Sequence, residues 1–278
     1  MNPETMDPCR VGEKIVLEVA YDGTPYAGWQ LQPGQPTVQG VLIDALAQIH
    51  DTAPDSLRVT GAGRTDAGVH ALGQVASYTS ATPRSFAAVS RGLEALLPES
   101  IRVLAAGSGP EAFHPRRDAL LKRYIYRIVH GRPLLPFEAP WRWHIRAPLD
   151  VGAMAAAARA LAGRHDFAAF AAAGRPTRST TRTLHRLDAA RVGAGDVRIV
   201  AEADGFLYKM VRNLVGLLVD IGLGRRPVDD ARDVLAGRDR GASAPTAPAR
   251  GLCLKRVVYP VPIAAQLLGV GHGPLPRS

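Results

Sequence analysis

Cysteine is scarce in this chain: Cys9 and Cys253 are the only two in 278 residues. Two cysteines cannot make a zinc site or a disulfide framework, and they fit a reducing, cytoplasmic setting. No apolar run approaches the roughly 18 residues that a membrane span requires. The start, MNPETMDPCR, lacks the basic-then-apolar layout of a signal peptide. The eight histidines are scattered, with no H-x-x-x-H pair and no H-x-E with C-x-x-C, which argues against zinc hydrolases and zinc deaminases. A G-x-S-x-G serine elbow is absent. Lysine is nearly as rare as cysteine, with 4 against 30 arginines. Coding composition accounts for most of that ratio.

What is present is a surplus of positive charge. The net charge of +9 and a pI near 10.1 suit a polyanionic partner such as nucleic acid. Apolar residues make up 46%, enough for a packed core. Residues 14–21 (KIVLEVAY) alternate and predict a strand with Ile15, Leu17, Val19 and Tyr21 on one face. Helical spacing follows over 38–49, then a short strand at 58–60, a Gly-rich loop, and a strand over 74–79. A second helix carries Phe86, Val89, Leu93 and Leu96, and 101–104 reads as a strand. The second half predicts strands at 122–129, 184–192, 197–203 and 253–258. Its helices fall at 151–161, 210–221 and 228–236. The expected class is α+β: two similar halves (12–108 and 109–262) with antiparallel sheets and helices on the outer face. Residues 1–11 and 263–278 are expected to be flexible, and 238–250 to form a surface loop.

The densest polar segment is Gly61-Ala-Gly-Arg64-Thr-Asp66-Ala-Gly-Val-His70. A dinucleotide fingerprint would need glycine where Asp66 stands, and a P-loop would need a Lys-Ser/Thr pair. What remains is an acid among glycines, which serves either to cap a turn or to act as nucleophile or base. Lys122-Arg-Tyr124-Ile-Tyr126-Arg sets aromatics on one strand face beside cations. Such a strand can stack a base or fill a core. Phe113-His114-Pro-Arg116-Arg117 reads as a basic loop. Arg212 lies in an otherwise apolar helix and needs a polar partner or an exit to solvent.

GAGRTDAGVHALGQV (61–75) closely resembles the active-site motif of the tRNA pseudouridine synthase A family. YDGTPYAGWQ (21–30), FHPRRDALLKRYIYRI (113–128) and FLYKMVRNLVG (206–216) are similar to three further family segments, in the same order. The resemblance implies conversion of uridine to pseudouridine at positions 38, 39 and 40 of the tRNA anticodon stem-loop. It implies a homodimer whose half-sheets join, with the active site in a cleft between the halves, and no cofactor or metal. Residue by residue it makes Asp66 the nucleophile and Arg64 the residue that helps flip the base. Tyr124 becomes the stacking platform for uracil and Arg212 the partner of the acid. Arg84, Phe113, His114, Arg116 and Arg117 become tRNA contacts. Pro115, Arg117 and Lys122 depart from the family pattern, and 171–182 matches poorly. The alternatives are an RNA-binding protein of the same fold without catalysis and an N-glycosidase. The second is weakened by the motif's single acid.

Overall fold

The computed structural model describes residues 10–174, 177–237, 239 and 244–260. Residues 1–9 and the expected flexible tail at 263–278 lie outside these, as do parts of the 171–182 and 238–250 loops. The chain divides into two compact units: residues up to 120 together with those from 256 on, and residues 121–255. No sequence signal marks the return of the chain to the first unit at Arg256.

In the first unit, strand β1 (Lys14–Tyr21) is flanked by β4 (Ile101–Ser108) and β3 (His70–Thr79), both antiparallel to it. A two-residue β2 (Thr60–Gly61) pairs with β3. Ile15, Leu17, Val19 and Tyr21 are buried on one face of β1, as the alternation predicts. Val16 is buried as well, in a small cluster on the other face with Ala62, Val75, Phe113 and Tyr259. β1 is therefore a central strand covered on both sides. Helix α1 (Val38–His50) starts where the Thr37 side chain accepts from the Gly40 N–H. Helix α2 (Phe86–Leu96) starts on Ser85, which accepts from the Ala88 N–H. β3 begins four residues earlier than the expected strand, at His70.

In the second unit β5 (Leu121–His130), β9 (Asp196–Ala203), β8 (Thr181–Gly193) and β7 (Gly163–Asp166) lie side by side, each antiparallel to its neighbour. The short β6 (Trp143–Ile145) runs parallel to β5, beside the antiparallel strands that the sequence leads one to expect. Helix α3 (Val151–Leu161) is capped by Asp150, which accepts from the Ala153 N–H. Its alanines let it lie close to β8 and to helix α4 (Met210–Gly222). A Cβ on Gly222 would stand 2.8 Å from Met154 of α3. Helix α5 (Asp230–Gly237) starts two residues later than the expected 228 and packs against α3. Both units are α+β.

Around the first turn of α4 the backbone is unusual. Its N-cap, Lys209, sits at φ +58°. The segment 244–248 folds over the helix so closely that a Cβ on Gly216 would meet the Pro245 carbonyl at 2.0 Å. Elsewhere a charged turn closes the β5 end of the sheet. Arg132 donates to both Glu138 oxygens at 3.0 Å and to Asp196 at 3.0 Å, and Arg142 pairs with the same two acids. The Arg132 bonds hold the Glu138 carboxyl down at about 2, below its ordinary 4.5.

Candidate active site

The acid loop leaves β2 and re-enters the sheet at His70. Along it Arg64 is exposed, Thr65 is buried and Asp66 is half-exposed. Thr65 turns inward because its hydroxyl bonds the Tyr21 hydroxyl at 2.8 Å, in a buried position. Its carbonyl accepts from the Trp29 N–H at 3.1 Å. One residue before Arg64, the Gly63 carbonyl accepts from Gln74 Nε2 at 2.8 Å. Beyond the acid, the Val69 N–H donates back to the Asp66 carbonyl at 3.1 Å, closing a turn. The backbone is thus held on both sides of Arg64 and Asp66.

Segment 21–30 supplies that hold, which explains its glycines. Gly28 has φ +103°, and a Cβ there would stand 2.6 Å from the Thr65 carbonyl oxygen. A Cβ on Gly23 would stand 2.1 Å from the Val69 carbonyl oxygen. Gly61 is the complement: the Trp29 indole occupies its Cβ position, with atoms at 2.6–2.7 Å. The Gly23 N–H also donates to Nδ1 of buried His70 at 3.1 Å.

The expected tRNA contacts of this unit fall into two kinds. Arg84, Arg116 and Arg117 are exposed. Arg84 rests its Nε on the Ile49 carbonyl at 3.0 Å. The Arg116 and Arg117 N–H groups converge on His114 Nδ1 at 3.2 and 3.3 Å, so His114 shapes the loop that presents them. Phe113, the fifth expected contact, is buried in this structure. It is 4% exposed and packs edge-on against Tyr259 at 5.3 Å, because the loop needs an apolar anchor.

In the second unit β5 turns Tyr124, Tyr126 and Ile128 inward. Arg123 faces the other way and is ion-paired with Glu202. The two tyrosines differ. Tyr126 is fully buried and donates to the Pro248 carbonyl at 2.8 Å. Burial pushes its hydroxyl well above the ordinary tyrosine range, against the pull of Arg212 and Arg250. Tyr124 is opposite small Ala201, and its ring stands perpendicular to Phe206 at 5.2 Å. Phe206 therefore fixes the plane of the Tyr124 ring.

Arg212 is half-buried on the first turn of α4. Its Nε donates to the Ala247 carbonyl at 2.7 Å, and the Ala247 N–H donates to the Arg212 carbonyl at 3.1 Å. The neighbouring Asn213 is fully buried. Its amide donates to the Phe170 carbonyl at 2.7 Å and accepts from the Thr246 hydroxyl at 2.6 Å. Residues 244–248 therefore act as a strap over the helix start. In the poorly matching segment 171–182, Arg182 Nη1 donates to the Ser179 and Thr181 carbonyls at 3.0 and 2.6 Å. That guanidinium serves its own turn. The supporting residues Trp29, Gln74, Phe206, Asn213 and Thr246 were not identified from sequence. Trp29, Gln74, Phe206 and Asn213 lie within the motif segments, which is the signal that could have found them; Thr246 lies outside them.

The first unit thus carries an acid on a pinned loop, and the second a tyrosine on a strand and a strapped arginine. The family described as tRNA pseudouridine synthase matches residues 18–116 and 157–260. The tRNA pseudouridine synthase A of Syntrophotalea carbinolica is 45% identical over 246 residues, 88% of this chain and 96% of that protein. That of Myxococcus xanthus is 42% identical over 246 residues, covering 88% and 92% of the two chains. That of Burkholderia multivorans is 43% identical over 264 residues, covering 94% and 95%. The chain belongs to the tRNA pseudouridine synthase family, and hence to the isomerases.

Proposed function

We propose that this enzyme converts uridine to pseudouridine at positions 38, 39 and 40 of the tRNA anticodon stem-loop, with Asp66 as nucleophile. The display of Asp66 carries the reading: a half-exposed carboxylate on a loop fixed at Gly63, Thr65 and Val69, within the family's motif. The N1–C1′ bond of the uridine breaks and a C5–C1′ bond forms. C5 loses a proton and N1 gains one, so the reaction balances without an oxidant or reductant. Asp66 attacks the nucleoside, and the departing base turns before it rejoins.

The uridine must first leave its stem, at a cost of roughly a few kcal/mol. Exposed Arg64 assists that extraction. Tyr124 offers a flat π-face on which uracil can rotate without losing contact. Arg212 serves the Asp66 carboxylate as counter-charge. Arg84, Arg116 and Arg117 hold the tRNA backbone, with His114 setting their loop. The enzyme acts in the cytoplasm as a homodimer.

The test is Asp66→Asn with an anticodon stem-loop substrate. Pseudouridine formation is expected to vanish while tRNA binding stays within about twofold; full turnover would remove Asp66 from the mechanism. In Tyr124→Phe, stacking survives, and unchanged turnover would confine Tyr124 to that role.

A further inference from the structure

A buried polar network lies directly beneath the acid loop, and packing alone does not account for it. Tyr21, Thr65 and Gln74 are 4%, 5% and 0% exposed. The Tyr21 and Thr65 hydroxyls are 2.8 Å apart, and Gln74 Nε2 lies 2.8 Å from the Gly63 carbonyl and 3.5 Å from the Tyr21 hydroxyl. Gln74 Oε1 meets no donor among the described residues. A buried amide with half its bonding unmet is unfavourable compared with an apolar residue of the same size. Stability alone therefore does not favour glutamine here. Its one strong bond goes to the loop backbone just before Arg64. The Thr65 hydroxyl bond holds the residue between Arg64 and Asp66.

We propose that Tyr21, Thr65 and Gln74 are positioning residues that set the direction of the Asp66 carboxylate. None of them touches the substrate. β1 and β3 are neighbouring strands of one sheet, and Tyr21 and Gln74 add side-chain bonds from it to a loop whose backbone is held at Thr65 and Val69. The network stops residues 64–66 from turning about Gly63. Loss of the Thr65 bond frees that rotation and misdirects the attack, whereas tRNA binding, which rests on exposed arginines, stays intact. A misplacement of about 1 Å costs on the order of 100-fold in rate.

The proposal rests on Asp66 as nucleophile, so Asp66→Asn is assayed alongside. The experiment measures tritium released from C5-labelled uridine under single-turnover conditions, the tRNA dissociation constant and the melting temperature. Thr65→Val is expected to lose on the order of 100-fold in the single-turnover rate, with tRNA affinity within about twofold. Thr65→Ser, which keeps the hydroxyl, should recover to within about threefold of wild type. Tyr21→Phe, which breaks the same bond, should also lose on the order of 100-fold and Gln74→Met about tenfold, and Tyr21→Phe with Thr65→Val should be no slower than Thr65→Val alone. A Thr65→Val rate within twofold of wild type, beside an inert Asp66→Asn, would overturn the proposal and leave the nucleophile standing. A Thr65→Ser rate as low as that of Thr65→Val would also overturn it, by showing a packing role. An active Asp66→Asn would bring down the nucleophile reading instead.

Discussion

The two units present their proposed site residues by opposite means. In the first, Asp66 sits on an irregular loop whose shape comes from backbone packed against backbone, with Gly23 and Gly28 on one side and Thr65 and Val69 on the other. In the second, Tyr124 sits on a strand and Arg212 on a helix, and each is trimmed by a neighbouring group: Phe206 for one, the 244–248 strap for the other. Steric contact between backbones has no give, so the loop tolerates no added atom. Side-chain bonds are graded, and each can be lost at moderate cost. The first unit should therefore fail abruptly on substitution and the second by degrees.

That contrast is sharpest at the glycines. Gly28→Ala should destabilise by about 2–4 kcal/mol, from strain at positive φ plus a clash with the Thr65 carbonyl, and should abolish turnover. Gly222→Ala meets side-chain atoms (Met154 Cγ and Sδ at 2.8 Å, Leu149 Cδ2 at 3.4 Å) and no backbone, and should cost about 1 kcal/mol, with turnover kept. Denaturant unfolding of the pair decides; equal losses would break the comparison. Gly216→Ala, facing the Pro245 carbonyl, should behave like Gly28→Ala and show that the mechanism, not the unit, sets the cost.

Next in size is the strap. Asn213→Ala should cost about 1–3 kcal/mol, by stranding the Phe170 carbonyl and the Thr246 hydroxyl, and should lower turnover through Arg212. Thermal melts and single-turnover rates check it. A normal rate in that variant would detach the strap from the chemistry.

The smallest effects are those of pH. Glu138 has a lowered pKa, so below its ordinary 4.5 the unfolded chain takes up a proton that the folded chain refuses until about pH 2. The stability it contributes is full above 4.5 and is lost as pH falls toward 2. Glu138→Gln should remove that part of the acid sensitivity. His50 is held below its ordinary 6.5, by burial first and by Arg84 second. Its neutral ring bonds Tyr78 and Thr82 at 3.1 and 3.0 Å. Here too the unfolded state binds more protons, so stability falls as pH drops below 6.5. Unfolding midpoints across pH 2–7 should show these two contributions, one in each unit.

Much of this architecture is legible in the residues. Alternation places β1 and β5, and the 3.6-residue spacing places α1 and α2, with α4 found to within one residue. Short strands are not legible: β6 and β7 have three and four residues, too few to set a period, and exist because β5 and β8 offer them edges. The early start of β3 is hidden by Gly73 among its first residues. At the site the motifs mark Asp66, Arg64, Tyr124 and Arg212. They do not show which residues hold which, because those contacts are long-range: Arg212 to Ala247 spans 35 residues and Tyr21 to Thr65 spans 44. The packing of Phe113 on Tyr259 is not legible either, because an aromatic beside two arginines looks the same whether its ring anchors the loop or meets a base.

One bond in the strap has a consequence for which cation can stand at 212. A guanidinium is a flat, rigid group, so fixing one of its nitrogens fixes the plane and heading of the others. Through Nε the Ala247 carbonyl therefore aims the whole outer edge of Arg212 before any substrate arrives. An ammonium in its place would keep the charge and lose the heading, because a point charge on a four-carbon stem has no plane to lock.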